Sequence, residues 1–274
     1  MASLTGSIAI GYTNHASGKV ITTTTAATGY PATDLSNSRL FGPGAVYRST
    51  TGSLTTQNID VDLASAQNID IIALIGNNLS DAATRIPVTS ENSGYTSPEY
   101  NPGSANVFDL TYPALISDIP RQGRNLIILP GTTLNSRYVR VTLNDSGNTN
   151  NFISSRVYWV GSLWQPTYSF QAVPDTYRKK RELIGSPGVQ RYITILEVDL
   201  PALSEAEGRA LESLCSARLT TGRLMVLIRP DQPATWQGEV IYCTLVGLPT
   251  LSGWPQGGGT ILWKVTLIFR ECED

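Results

Sequence analysis

The chain is poor in the residues that most often carry chemistry. Among 274 residues there is one histidine, His15, and there are three cysteines, Cys215, Cys243 and Cys272. Cysteines this few and this far apart point to assembly in a reducing cytoplasm, with the thiols buried as small hydrophobes. With no close cysteine pair and a single histidine, no metal site is expected. Charged residues make up only 15% of the chain and the formal net charge is -2. Nucleic-acid binding usually needs a basic face, and none is implied. No apolar run approaches the roughly 18 residues that would span a bilayer. The first residues, Met1 to Ser7, have neither a basic stretch nor a sustained apolar one, so no secretion signal is expected. Also missing are a Gly-x-Ser-x-Gly elbow, a phosphate-binding Gly-x-x-x-x-Gly-Lys loop and a His-Glu-x-x-His pair. No enzyme activity and no cofactor are expected.

What is abundant is Thr, Ser, Asn and Gly between short apolar stretches, the balance of a β-rich protein with polar loops. Ile59, Val61 and Leu63 point one way and Asp60 and Asp62 the other, which is the period of a half-buried strand. Ala64 to Gln67 reads as a turn. Ile69 and Ile71 through Ile75 then form a nearly continuous apolar run, as in a strand within a sandwich core. Much later Tyr138, Val139, Val141 and Leu143 are interleaved with Arg137, Arg140 and Thr142. Further strands are expected at Ile127 to Leu129 and at Phe152 to Val160. The stretch Ser90 to Ala105 is turn-rich and reads as a long surface loop. A second polar loop covers Asn144 to Asn151.

Three regions follow: 1–164, a sandwich; 165–190, a connector; and 191–274, an α+β unit. The connector is punctuated by Pro166, Pro174 and Pro187, with one possible strand at Tyr168 to Ala172. It holds the only dense charge cluster, Arg178-Lys-Lys-Arg181. The plain reading of that cluster is a solvated hinge; the sharper one is contact with an acidic partner surface or a nucleic-acid backbone. Beyond it, Arg191 to Asp199 alternates as a strand. Ser204 and Glu207 have the capping-box spacing, so a helix should follow. Its apolar face would be Ala210, Leu211, Leu214 and Ala217, and it would end near Thr220 to Gly222. Strands are then expected at Leu224 to Arg229, Gly238 to Gly247 and Thr260 to Glu271. The glycine-rich stretch Pro249 to Gly259 would be a hairpin tip. Trp254 within it would be either hairpin packing or an anchor to a neighbouring subunit.

Scattered acids allow one enzymatic thought. Asp60, Asp62 and Asp70 could form a glycosidase pair, but their alternation along strands reads as a solvated sheet face. His15 has no motif around it and reads as a satisfied or exposed side chain.

The order of these pieces resembles a known family. Asp62-Leu-Ala-Ser-Ala-Gln67, the run to Leu74 and Arg137-Tyr-Val-Arg-Val141 are similar to the galactose-binding-like, or discoidin-like, sandwich. Pro31-Ala-Thr-Asp-Leu35 and Tyr47-Arg-Ser49 precede them as in that family, and Arg156 to Gly161 resembles its closing strand. The resemblance spans residues 30 to 162. It implies a jelly-roll β-sandwich whose end loops contact glycans. Some such sandwiches bind calcium in an early loop, near Asp34 here, but the dense acidic ligand set is missing.

The second half resembles another group. Strand, capped helix, strands and a closing Trp263-Lys-Val-Thr-Leu-Ile-Phe-Arg-Glu271 look like the tail-tube-like domains of bacteriophage distal tail and tail-tip proteins. That resemblance implies a mainly β structural virion component. It would form a homo-oligomeric ring at the distal tail or baseplate, joining tube, hub and tip proteins after assembly in the host cytoplasm. The alternative is a carbohydrate-binding module protein that contacts host-surface glycans. Candidate contact residues are Tyr95, Tyr100, Asn101 and Phe108, with Trp254 from the second half. The plainer reading is that the long loop folds over its own sandwich or meets another tail protein.

Overall fold

The computed structural model describes residues 8–36, 46–108, 125–167, 177–184, 191–218, 222–232, 240–255 and 261–272. The first half contains β1 (Ala9–Asn14), β2 (Ile21–Thr23), a 3-10 turn (Ala32–Ser36), β3 (Tyr47–Arg48), β4 (Gln57–Ile69), β5 (Ile71–Ile75) and β6 (Thr84–Ser90). There follow β7 (Ala105–Asn106), β8 (Leu126–Ile128), β9 (Leu134–Asn144), β10 (Ser154–Ser155) and β11 (Val157–Trp164). The second half contains β12 (Tyr177–Ile184), β13 (Arg191–Leu203), α1 (Glu205–Arg218), β14 (Leu224–Leu227), β15 (Val240–Leu245), β16 (Leu251–Pro255) and β17 (Ile261–Glu271). The fold is mainly β, as expected, with antiparallel sheets and one α-helix among the described residues.

The sandwich follows from the alternation seen in the sequence. One layer is a five-stranded sheet in the order β2-β4-β9-β6-β7. Ile59, Val61 and Leu63 of β4 and Val139, Val141 and Leu143 of β9 face inward and are almost fully buried. They meet Ile72, Leu74, Leu126, Ile128, Tyr158 and Val160 from β5, β8 and β11 of the opposing sheet. β5 is apolar throughout because both of its faces are covered: Ile71, Ala73 and Ile75 pack into a different cluster on the far side. The expected turn at Ala64 to Gln67 is instead a bulge within one long strand. Ala64 takes a φ of 71° and donates its amide to the Asp62 carboxylate at 2.8 Å, while the register slips between Asp62 and Gln67. One extra stretch of chain is absorbed and pairing with β9 resumes.

The second half packs α1 against β13 and β17. Ser204 caps the helix as its sequence implied: its hydroxyl accepts from the Glu207 amide at 3.3 Å, and Glu207 accepts from the Ser204 amide at 2.8 Å. The buried face is a correction. It consists of Gly208, Leu211 and Cys215 with half-buried Leu214, while Ala210 and Ala217 are exposed. The small residues belong there because the helix lies close on β17. A β-carbon on Gly208 would stand 3.3 Å from the Trp263 ring. β16 replaces much of the expected hairpin tip and pairs with β17 from Leu251↔Val265 to Pro255↔Ile261. The expected connector is corrected too: its basic cluster lies in β12, a strand paired with β13 at all eight positions. The possible strand at Tyr168 to Ala172 lies outside the described residues.

The two halves share one sheet. Its order is β12-β13-β17-β15-β14-β1-β11-β5-β8, so the first strand of the chain sits between sandwich and second unit. Ile10 of β1 faces Trp164 of β11 on one side and Val226 of β14 on the other. The third apolar cluster crosses this seam, with Trp159 edge-on to Tyr242 at 6.1 Å. Gly161 is required here: a β-carbon would fall 1.8 Å from the Thr13 carbonyl oxygen of β1. At the far end of α1, the Arg218 guanidinium donates to the Thr13 hydroxyl at 3.0 Å.

Candidate functional site

The expected contact loop is built largely as packing. It is anchored at the end of β6, where Thr89 and Tyr100 form an isolated antiparallel bridge. The Glu99 amide donates to the Thr89 carbonyl at 2.9 Å, and the Glu99 carboxylate receives the buried Ser136 hydroxyl. Asn92 organises the tip by accepting the Thr96 amide. The chain thereby folds back over its own sheet. Tyr95, at φ 54°, lays its ring under the Arg140 guanidinium, 4.3 Å away. Burial, with the neighbouring Asp60, pushes its hydroxyl pKa well above the usual tyrosine range. Tyr100 is half-buried against the sandwich core. Phe108 is a core residue, only 3% exposed, which removes it as a contact side chain. Asn101 is exposed, and its side-chain oxygen accepts the Gly103 amide at 3.2 Å. Trp254 lies in β16 opposite Leu262, in the other unit; its side chain lies outside the described residues.

The acids that suggested a hydrolase are engaged. Asp60 takes two hydrogen bonds from Arg140, at 2.6 and 2.9 Å, and Asp62 two from Arg137, both at 2.8 Å. The Arg137 hydrogen bonds hold the Asp62 carboxyl below its ordinary range. A carboxylate held low and doubly bonded is a poor proton donor. Asp70 is buried apart from them and accepts from the Thr133 hydroxyl at 2.6 Å and the Leu163 amide at 3.0 Å. Asp34 sits in the 3-10 turn. Among the described residues no cluster of three His, Cys, Asp or Glu is arranged to hold a metal. His15 is half-buried, with Nε2 3.3 Å from the Ser162 hydroxyl, and burial lowers its pKa.

A different cluster, at the opposite end of β9, has the character of a site. The Arg48 guanidinium lies over the Phe152 ring at 3.4 Å and faces the Tyr30 ring at 5.5 Å. Three loops converge to make it. Arg48 comes from β3, which pairs with β10. Its amide donates to the Tyr30 carbonyl at 3.3 Å and its carbonyl accepts from the Ala27 amide at 2.8 Å, so Tyr30 is fixed to it. Beneath, the buried Tyr47 donates its hydroxyl to the Thr25 carbonyl at 2.9 Å. Phe152 is positioned by Asn78, which donates to its carbonyl at 2.8 Å and accepts the Ser154 amide at 2.7 Å. Asn78 in turn receives Asn148, and Asn148 bonds the buried Asp145 at 2.8 Å. Asp145 also takes the Ser80 amide at 2.9 Å. The loop that carries Phe152 is thus held by a buried polar network before any ligand arrives.

Chemically, this is a planar cation over one ring with a second ring beside it. The guanidinium is partly exposed, and no carboxylate among the described residues neutralises it. Tyr30 is 37% exposed and Phe152 half-buried, so aromatic ring surface lies beside the cation's donors. Sequence reasoning missed all three roles. The available signal was Tyr47-Arg-Ser49 within the family resemblance, together with Phe152 directly after a polar loop.

No protein-family model and no curated protein matches the chain. Among solved structures it is similar to the lectin domain of lectinolysin complexed with Lewis B antigen, at 18% identity and a TM-score of 0.38, over 55% of this chain and 96% of that one. Chitosan-binding module 1 of a Paenibacillus chitosanase/glucanase gives 21% identity and a TM-score of 0.37, over 55% and 99%. A Streptococcus pneumoniae fucose binding module gives 15% identity and a TM-score of 0.38, over 55% and 98%. At these values the functional reading rests on the residues themselves.

Proposed function

We propose that the protein is a non-catalytic binding protein whose sandwich contacts glycans through Tyr30, Arg48 and Phe152. The observation that carries this reading is the guanidinium of Arg48, lying over the Phe152 ring with Tyr30 beside it and unmatched by a described carboxylate. Pyranose rings offer apolar faces for stacking and hydroxyls for planar donors, and a prearranged aromatic and polar cluster is suited to both. The test is an array of neutral and acidic glycans probed with wild type, Arg48→Ala and Phe152→Ala. The expected result is a subset of bound glycans lost in both variants, with melting temperatures near that of wild type. Array signals that survive both substitutions would sink the assignment.

A second reading concerns what the sandwich is attached to. In it the chain is a ring-forming subunit of a phage distal tail or baseplate, with the sandwich facing outward and the second unit meeting tube, hub and tip proteins. The capped helix lying on a strand ending in Trp263 to Glu271 favours it, since that arrangement follows the pattern behind the resemblance. Mass photometry with and without tail proteins, together with immunogold labelling of virions, tests it. A strictly monomeric protein that never enters virions would end this reading and leave the glycan site standing.

A further inference from the structure

One edge of the shared sheet has no role in either reading. β12 ends the sheet, and among the described residues no strand lies on its outer side. Residues 178–183 are exposed on both faces, and only Tyr177 at its start packs against the core of the second unit. A strand that contributes so little apolar burial is held chiefly by its ladder to β13. On its side away from β13, alternate residues direct backbone N–H and C=O groups outward, where no described strand pairs with them.

The side chains select what can pair. Arg178 and Lys180 lie on one face, Lys179 and Arg181 on the other, and Glu182 is the only acid in the strand. Yet the whole chain is slightly acidic. Four of the chain's 20 Lys and Arg residues stand in a row on this edge. Glu197 stands opposite Arg178 in β13, but Lys180 faces Ile195 and Arg181 faces Thr194. Arg178, Lys180 and Arg181 form no ion pair with any described residue. A second β12 laid antiparallel would set basic residues against basic residues, and like charges directly opposite destabilise a sheet. The edge thus repels its own copy. A strand bearing carboxylates on both faces meets the opposite situation.

We propose that β12 is a docking edge for an extended acidic segment of a partner protein, which adds to the sheet as a further strand. Backbone pairing supplies the register, and carboxylates on both faces of the incoming strand match the basic residues on both faces of β12. The surface lies in the second unit and is independent of the Arg48 cluster, so the two are separable by experiment.

The test uses the full-length protein and a capped decapeptide of Glu and Thr with Glu on both faces of its extended form. Its binding should be followed by fluorescence anisotropy and by hydrogen exchange. The peptide should bind and should slow exchange of amides within residues 177–184. Its affinity should fall at least about tenfold between about 50 and about 300 mM salt, since exposed charges are screened over that range. A peptide with Lys in place of Glu, and one with proline at its centre, should not bind. Lys180→Glu/Arg181→Glu should reduce affinity by at least about tenfold, because each reversal sets like charges across the new pair. Both positions are exposed, and unchanged melting would verify the fold. Should that variant misfold, the exchange map of wild type still decides. Protection elsewhere, equal binding of the proline peptide, displacement by duplex DNA at equal charge concentration, or wild-type dimers protected at β12 would each overturn the proposal.

Discussion

Three arginines of the sandwich sit on aromatic rings, and two of them, Arg140 and Arg48, differ in one respect. Arg140 covers Tyr95 in the middle of the outer sheet, and Asp60 grips its guanidinium with two hydrogen bonds. Arg48 covers Phe152 at the end of the same sandwich, with a second ring beside it and no described carboxylate. In the first case a carboxylate inside the protein answers the charge with two hydrogen bonds, and the ring lies against the guanidinium. In the second the ring supports the cation but leaves its polar edge unspent. An aromatic–arginine contact is therefore no sign of function by itself. What separates scaffold from site is whether the charge has been answered from within.

The sharpest way to break this comparison is to delete residues 92–104. Read from sequence alone, that stretch lacks a strand pattern and its removal would leave the sandwich folded while weakening contact with a partner or glycan. With Tyr95 covering Arg140, Tyr100 against the core and Glu99 bonded to Ser136, its loss should cost about 3 kcal/mol or more of stability, from side chains worth roughly 1.5–3 kcal/mol each when buried. Glycan binding at Arg48 should be retained. Chemical denaturation read beside the array measures both, and loss of binding with stability intact would reverse the roles assigned to the two ends.

Next in size is Arg140→Ala. It leaves Asp60 without its partner, at a cost of about 1.5–3 kcal/mol for hydrogen bonds to a charged group. Glycan affinity should not move. Arg48→Ala is the complementary variant. Stability should change by less than about 1 kcal/mol, the ordinary worth of an exposed cation–π contact. Affinity for any bound glycan should fall about tenfold or more, equivalent to about 1.4 kcal/mol. Calorimetry on both variants gives a double dissociation if the comparison holds.

The smallest effect belongs to His15, beside the seam. Burial lowers its pKa from 6.5, and that outweighs the Asn68 carbonyl and Asp70, which raise it; Lys19 and Arg218 lower it further. The unfolded chain therefore takes up this proton more readily than the folded one. Its contribution to stability is full above pH 6.5 and is lost as pH falls through the lowered folded value. As the sole histidine, it gives a single imidazole signal by NMR. A titration midpoint at or above 6.5 would contradict the burial argument.

The elements legible in the sequence were those whose signal is local. β4 and β9 alternate because one face is buried and the other wet, and the Ser204–Glu207 cap lies within four residues. β12 was not legible, since a strand exposed on both faces has no alternation to read. Nor was the place of β1, whose pairing with β14 joins residues more than 200 positions apart. The candidate site was missed for a similar reason. Tyr30, Arg48 and Phe152 come from three separated loops, and only the β3–β10 pairing and the Asn78 bonds bring them together. Phe108 misled because an aromatic just after a polar loop looks like a lure for ligands when, with Val107, it is a plug for the core.

The position of β1 has a mechanical consequence. Because it is hydrogen-bonded to β11 on one side and β14 on the other, a pull on the sandwich reaches the second unit through two ladders of main-chain bonds as well as along the chain. A joint of that kind is stiff and shares load across many bonds at once. Tension at the Arg48 end would be handed on as displacement of a single continuous sheet, and the two units would turn together as one lever.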